Sequence, residues 1–336
     1  MQIINLVDSG GMGGIERHIE VLCQAQRAQG LDAGVILIDA HEEKIWPERL
    51  SARDIPYAYA GGARRLAIVL RRYRPNLVHT HGYKGGILGR LICRVLRIPV
   101  VSSFHAGEIG AFPVSVYQRL DLVTSRLAPR IAVSGAIAAQ LPEPVHRVQN
   151  FAPTIVVDVS SPLPNIIAFV GRLSIEKGPD FFCELAAAAQ GEKHRWVMYG
   201  DGPMRQELES RFADCVTFRG MVREMEPEWP NIGLLVMTSR AEGLPYAALE
   251  ALSNGTPLLA HAVGGLPDFL STEPDWLLPP GDLAVAQARI AAWDRAQHGN
   301  SQALRERALN VLADDYRAQA ALPRLYAAYA DAGVML

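Results

Sequence analysis

Ile166-Ile167-Ala168-Phe169-Val170-Gly171-Arg172-Leu173-Ser174-Ile175-Glu176-Lys177-Gly178 is the stretch whose reading decides the fold of this chain. Five apolar residues rich in Ile and Val read as a buried strand, and a loop bounded by glycines follows. Arg172 and Lys177 project from that one short loop, and a forked guanidinium beside an ammonium suits a diphosphate. The two cations would also neutralise a leaving group without a metal. Taken alone, an exposed loop with ordinary charges would read the same way.

Similar runs recur on both sides. Downstream, Trp196 to Tyr199, Val216 to Phe218, Ile232 to Met237 and Pro257 to Ala260 read as strands. Upstream, Ile3 to Val7, Gly34 to Ile38, Leu77 to His79, Val100 to Ser103 and Arg130 to Val133 do so, with helical patterns such as Ile15 to Gln29 and Lys84 to Leu96 between them. Strands alternating with helices predict parallel sheets with crossover helices. The Pro-rich segment from Pro153 to Pro164 reads as a linker between two series, and from about Asp282 the chain reads as helical to its end. A length of 336 residues also favours two domains. In doubly wound sheets ligands bind beyond the carboxyl ends of the strands, so functional motifs are expected just after strands.

Two further motifs stand there. Gly10-Gly11-Met12-Gly13-Gly14-Ile15-Glu16 follows the first strand and opens a helix, where glycines let backbone N–H groups approach an anion. It fails as a dinucleotide fingerprint, because the last glycine position of G-x-G-x-x-G from Gly11 is Glu16; a tight turn without a ligand is the alternative. Ser239 to Ala251 follows the strand ending at Met237. Pro245 is expected in the first helical turn, leaving Gly243 and Leu244 to offer N–H groups at a helix amino terminus. Glu242 and Glu250 flank that end, and ionised carboxylates, which only accept hydrogen bonds, suit hydroxyl recognition. Gly200-Asp201-Gly202-Pro203 and Gly220-Met221-Val222 are turns after strands that could line a base, and Gly264-Gly265 precedes a helix.

His105, in Ser102-Ser103-Phe104-His105-Ala106-Gly107, also follows a strand. His79-Thr80-His81 has metal-like spacing, but alternate strand residues point alike in any case and no third ligand is evident, so no metal site is expected. The four cysteines lack a C-x-x-C pair and read as reduced, half-buried thiols.

With these motifs the chain resembles the retaining glycosyltransferases of family 4, of the bacterial surface-polysaccharide type. The resemblance rests on Gly10 to Gly14, G-R-x-x-x-E-K-G at Gly171 to Gly178, Gly200 to Pro203, the Glu242/Glu250 pair with Gly243-Leu244-Pro245, Gly264-Gly265, and Leu277 to Asp282. It covers essentially the whole chain and is looser in the first half. It implies an α/β GT-B fold, two Rossmann-like doubly wound parallel-sheet domains facing a central cleft. The expected divisions are 1–155 on the acceptor side, 156–315 for the nucleotide sugar, and a closing helix over 316–336 packing back on the first domain.

The resemblance also implies roles. Arg172 and Lys177 would hold the donor diphosphate beside Gly171, with backbone donors from Gly243 and Leu244. Glu250 would bind ribose, Glu242 the transferred sugar and Val222 the base edge. Gly13 and Gly14 would approach phosphate or sugar, and His105 the sugar near the reacting carbon. The expected reaction is metal-independent, retaining transfer from a UDP- or GDP-sugar, with no cofactor and no nucleic-acid partner. The expected acceptor is a lipid-linked glycan in cell-surface polysaccharide or lipopolysaccharide synthesis. Front-face attack, with the leaving diphosphate accepting the acceptor's proton, is favoured over a carboxylate nucleophile.

Three alternatives use the same sheets. A nicotinamide-dependent oxidoreductase could place Asp39 on a ribose but leaves the Arg172/Lys177 loop and the glutamate pair unexplained. A nucleotide-sugar isomerase needs donor binding and a base such as His105, and would turn over without an acceptor. A non-catalytic sensor would bind donor and release no nucleotide.

Charge adds a separate expectation. Residues 1–150 hold 18 Lys/Arg against 12 Asp/Glu, a balance of +6, while the rest hold 15 against 23, or −8. In Arg64-Arg65-Leu66-Ala67-Ile68-Val69-Leu70-Arg71-Arg72-Tyr73-Arg74 a helix would set the arginines on one side and Leu66, Val69 and Leu70 on another. Solvated helix faces or an anionic membrane or acceptor surface are the two readings. With no basic amino-terminal region ahead of an apolar stretch and no spanning run of about 18 apolar residues, a cytoplasmic location is expected, either free or peripheral on the inner face of the plasma membrane.

Overall fold

A computed structural model describes residues 1–40, 45–105, 114–189, 194–312 and 314–336. The chain divides into two compact units: Met1–Phe151 with Asp314–Leu336, and Ala152–Ala313.

The first unit runs β1 (Gln2–Val7), α1 (Gly14–Ala28), β2 (Asp32–Leu37), α2 (Ile45–Ala52), β3 (Tyr57–Tyr59), α3 (Ala63–Tyr73) and β4 (Leu77–His81). It continues through α4 (Tyr83–Leu96), β5 (Val100–Phe104), α5 (Val114–Thr124), β6 (Arg130–Ala132), α6 (Gly135–Ala138) and β7 (Val145–Arg147). Its sheet is parallel throughout, in the order β3-β2-β1-β4-β5-β6-β7. The central strands β4 and β5 are buried at every position, as strands covered by helices on both faces must be. Strand order reverses between β1 and β4, which opens a crevice beyond their carboxyl ends.

The second unit comprises β8 (Ile166–Val170), α7 (Pro179–Ala188), β9 (Arg195–Tyr199), α8 (Arg205–Phe212), β10 (Val216–Gly220) and β11 (Leu234–Met237). Then come α9 (Tyr246–Ser253), β12 (Leu258–His261), α10 (Leu266–Phe269), β13 (Leu277–Leu278) and α11 (Leu283–Val311). The order β10-β9-β8-β11-β12-β13, again all parallel, reverses between β8 and β11.

The closing helix α12 (Ala318–Asp331) belongs to the first unit. It buries Leu322, Leu325 and Tyr329, and each such apolar side chain taken from water contributes about 1.5–3 kcal/mol. Tyr329 is wholly buried; its hydroxyl accepts from Gln26 Nε2 (3.0 Å) and meets His79 Nδ1 (3.0 Å).

Local differences from the expectation have physical causes. The segment from Pro153 to Pro164 is not a free linker: the Arg305 guanidinium donates to the Ser161 (2.9 Å) and Pro162 (3.1 Å) carbonyls and straps it to its own unit. The long carboxyl-terminal helix breaks at Asn300 (φ −158, ψ 81), whose Oδ1 caps the next segment through Ala303 N–H (3.0 Å). Edge strands β3 and β7 were illegible because Tyr57-Ala58-Tyr59 and Val145-His146-Arg147 are short and only partly covered.

Candidate functional site

In the second unit the loops after β8 and β11 meet at the reversal of strand order. Glycines make the meeting possible. A side chain on Gly178 (φ +63) would collide with the Thr238 carbonyl, and one on Gly264 (φ +57) with that of Glu242. This close packing brings Lys177 Nζ to 2.6 Å from Glu242 Oε1, which also accepts from Ser239 Oγ (2.7 Å). The Glu242 side chain is 5% exposed and that of Lys177 30%. Arg172, on the same loop, is exposed; its carbonyl accepts from Ser174 N–H (3.0 Å) and its charge acts on Glu176, but its guanidinium makes no ion pair among the described residues. Arg240, by contrast, is held by Asp180 (2.9 Å). One cation is therefore parked on a carboxylate and another stands open beside it.

Glu250 lies on the buried side of α9, with Oε2 accepting from the Trp229 indole N–H (3.1 Å). Pro245 is not in the first turn, as expected, but caps the helix in an extended conformation (φ −75, ψ 139). Tyr246 thus begins the helix, and Gly243 and Leu244 sit in the preceding loop. Gly243 is exposed, with open space where a side chain would be. Gly171 spends its N–H on the Tyr199 carbonyl (3.0 Å), so it acts here as a strand-end packing point. Gly200 and Gly202 likewise pack on Gly171 and Leu173, and Val222 is half-buried after β10.

In the first unit Gly13 caps α1 and Gly14 begins it, with open space at Gly14 for a ligand atom to approach the helix terminus. Around the crevice lies an arrangement that sequence reasoning did not assemble. His81, at the end of β4, has Nδ1 3.0 Å from His105 Nε2, and its Nε2 meets Asn5 Oδ1 at 3.1 Å. The His18 ring, from α1, stands edge-on to His105 with centroids 4.8 Å apart. His81 is grouped not with His79 but with His18 and His105, whose ring nitrogens lie with its own within 4.8 Å of one another. His79 turns instead to Tyr329 and Ser103 Oγ (2.7 Å). Burial lowers the pKa of His18 to about 4 and pushes His79, His81 and His105 well below the ordinary imidazole value. Their mutual repulsion acts the same way on the last three.

His105 lines a cavity of about 430 Å³ with Ile15, Tyr83, Lys84, Phe104 and Tyr117. Lys84 bridges Asp39 (2.6 Å) and Asp8 (3.0 Å), so the acid expected at a nicotinamide ribose is already paired. Ala106 and Gly107 of the His105 motif lie outside the described residues.

On α3, Leu66 and Leu70 are buried, while Val69 is half-buried. Arg64, Arg65, Arg71, Arg72 and the helix-capping Arg74 are exposed and have no ion-pair partner among the described residues. At 3.6 residues per turn the four helical arginines centre on Ile68, which is 66% exposed.

The description "Glycosyltransferase Family 4" matches residues 12–151, and "Glycosyl transferases group 1" matches 164–293. The chain belongs to the family 4 type of glycosyltransferases. An alpha-D-kanosaminyltransferase of Streptomyces kanamyceticus is 30% identical over 239 residues, covering 59% of this chain and 62% of that protein. A 2-deoxystreptamine N-acetyl-D-glucosaminyltransferase of Streptomyces fradiae is 29% identical over 262 residues, 64% of this chain and 62% of the relative. The chain thus spans about six tenths of the length of these relatives. The crystal structure of Anabaena Alr3699/HepE in complex with UDP-glucose superposes with a TM-score of 0.78 at 16% identity, covering 98% of this chain and 100% of that one. That likeness establishes the GT-B fold.

For a family 4 chain, the two units bring together different parts of the expected set. Lys177, Glu242 and Arg172 gather after β8 and β11, and Glu250 follows one helix turn on, whereas His105 sits among histidines and Asn5 of the other unit. Ser239 and Trp229, which hold the two glutamates, carried no sequence signal. Among the described residues no helix is long and apolar enough to cross a membrane.

Proposed function

We propose that the protein transfers a sugar, with retention and without a metal, from a nucleoside diphosphate donor. The observation that carries this is the open Arg172 beside the Lys177–Glu242 pair at a strand-order reversal. A diphosphate has the charge to draw Lys177 from Glu242, and the released carboxylate then accepts from sugar hydroxyls. Charge that develops on the leaving diphosphate in the transition state is met by Arg172 and by Lys177 once it has left Glu242, which is where such stabilisation acts. Glu250 accepts from ribose hydroxyls, Gly243 supplies a backbone donor and Val222 meets the base; in the first unit, Gly14 and His105 are the candidate contacts to phosphate and sugar. The acceptor's proton passes to the leaving diphosphate oxygen in front-face attack. UDP-glucose, the ligand in the Anabaena structure, is the first donor to try.

The test is thermal stabilisation by a panel of nucleotide sugars, where 100 times the dissociation constant adds about 2.7 kcal/mol, followed by turnover with EDTA. Stabilisation by none of them defeats the reading, and activity lost to EDTA and restored by a divalent ion defeats the metal-free part. Turnover without acceptor would identify an isomerase instead.

For the acceptor we propose a lipid-linked glycan in cell-surface polysaccharide synthesis, reached from the cytoplasm by docking on an anionic bilayer. Four helical arginines around an exposed Ile68 have the composition of an interfacial helix, and each is worth about 1 kcal/mol near acidic lipid. A soluble acceptor is the second reading, favoured by the relative named for 2-deoxystreptamine.

A further inference from the structure

The histidine cluster has a hydrogen-bond order that can be read from its closed end. Asn5 is wholly buried, and its Nδ2 faces the Gly34 carbonyl (3.4 Å) and Cys23 Sγ (3.2 Å). A carbonyl only accepts, so the amide nitrogen belongs on that side and Oδ1 faces His81. At 3.1 Å, His81 Nε2 must then donate to Asn5 Oδ1. A neutral imidazole carries one proton, which leaves His81 Nδ1 as an acceptor. His105 Nε2, 3.0 Å from that nitrogen, must in turn carry a proton and donate it. The remaining nitrogen of His105, Nδ1, is left with a lone pair and has no hydrogen-bond partner among the described residues.

We infer that Asn5 and His81 are positioning residues which hold His105, a ring that lines the cavity, as the Nε2–H tautomer, so that its Nδ1 keeps a lone pair as a hydrogen-bond acceptor. The ring can then accept from a hydroxyl there but cannot donate to an oxyanion. The burial of all four rings keeps them neutral near pH 7, as the proton count requires. The rival occupant of the cluster is a metal ion, because three imidazoles lie within reach of one point. A zinc ion bound through His81 Nδ1 and His105 Nε2 would need both lone pairs and would move the His105 proton to Nδ1. The two readings therefore demand opposite tautomers of one ring. The tautomer stands on the hydrogen bonds alone; its effect on turnover rests on the transferase reading above.

Long-range 1H–15N correlation NMR on the full chain labelled with 15N-histidine tests it, with signals assigned through His105→Gln and His81→Gln. Near pH 7.5, with or without EDTA, His105 and His81 should both show a protonated Nε2 and a bare Nδ1. Asn5→Leu removes the acceptor and should shift His105 toward the Nδ1–H form, while Asn5→Asp, which restores an acceptor, should return it. In transfer assays Asn5→Leu should lower kcat about tenfold with the donor KM within about twofold, the scale on which partners that orient an imidazole matter. A protonated Nδ1 on wild-type His105, one equivalent of tightly bound zinc, or an unchanged tautomer in Asn5→Leu would each overturn the inference. Wild-type spectra decide even where Asn5→Leu fails to fold. A chain that transfers no sugar but shows the expected tautomer would sink the functional reading and leave this one standing.

Discussion

Lys177 and Arg172 should be equally costly to lose for turnover and unequally costly for stability. Each is assigned to the leaving diphosphate, and losing one such contact costs about 3 kcal/mol, roughly 100-fold in kcat. Their ligand-free surroundings differ. Truncating Lys177 strands the Glu242 carboxylate, 5% exposed, with only the Ser239 hydroxyl on Oε1. Stranding a covered polar group costs about 1–3 kcal/mol, and the lower half applies because Lys177 itself is 30% exposed. At about 2–4 °C per kcal/mol for a unit of this size, Lys177→Ala should melt about 2–8 °C below wild type. Arg172→Ala should melt with wild type, since Arg172 makes no ion pair to lose. Adding Glu242→Gln to Lys177→Ala removes the stranded charge and should restore Tm without restoring turnover. Circular-dichroism melts and nucleoside diphosphate release from donor plus acceptor measure the two quantities. Equal Tm values for the single variants, or wild-type turnover in either, would refute the reasoning.

Glu250→Gln keeps an acceptor for the Trp229 indole but loses the charge, and should weaken nucleoside diphosphate binding by about 10-fold or more by calorimetry. Glu242→Ala should leave that affinity within about twofold while lowering sugar transfer; equal losses in both contradict the assignment. The first unit should lose stability in acid. His18, held near 4 in the fold and near 6.5 unfolded, gives stability that is complete above pH 6.5 and is lost as pH falls toward 4, on the order of 3 kcal/mol, and His81, pushed well below the ordinary imidazole value by burial, acts in the same direction. A Tm of that unit independent of pH across this window would show that the rings titrate normally. Sedimentation with anionic vesicles should carry the protein down at low salt, less at high salt, and less when Arg64, Arg65, Arg71, Arg72 and Arg74 are Gln. No binding at low salt makes the soluble acceptor the better reading.

Much of the fold was legible because its signals are local. Each central strand is a short apolar run covered on both faces, so Ile166 to Val170 declares itself without reference to a partner. The glycines of the second unit have a packing role that their motifs do not spell out. Gly178, Gly200 and Gly264 are needed where one loop backbone presses on another, and the site geometry follows from that packing. Edge strands such as Val145-His146-Arg147 left no such trace, since a partly wet strand has no reason to be apolar.

The candidate site divides along the same line. Arg172, Lys177, Glu242 and Glu250 stand in runs whose spacing carries the chemistry. Ser239 opens the Ser239 to Ala251 run without a role that the run predicts, and Trp229 lies outside every motif, so only folding shows that they hold the two glutamates. The histidines are the extreme case. His18 comes from α1, His81 from β4, His105 from just beyond β5 and Asn5 from β1; of these the sequence singles out His105 as a site residue, and nothing in it joins the others to that ring. Only the parallel register, which pairs Asn5 with His79 and His81 with Ser103, sets them around one crevice. Their chemistry is then fixed by a group with no titratable proton: because Asn5 must turn its nitrogen to the Gly34 carbonyl, the order of donors runs outward to His105. A proton position at the ring nearest the cavity is thus decided by a backbone carbonyl on β2, a dependence that no linear motif could encode.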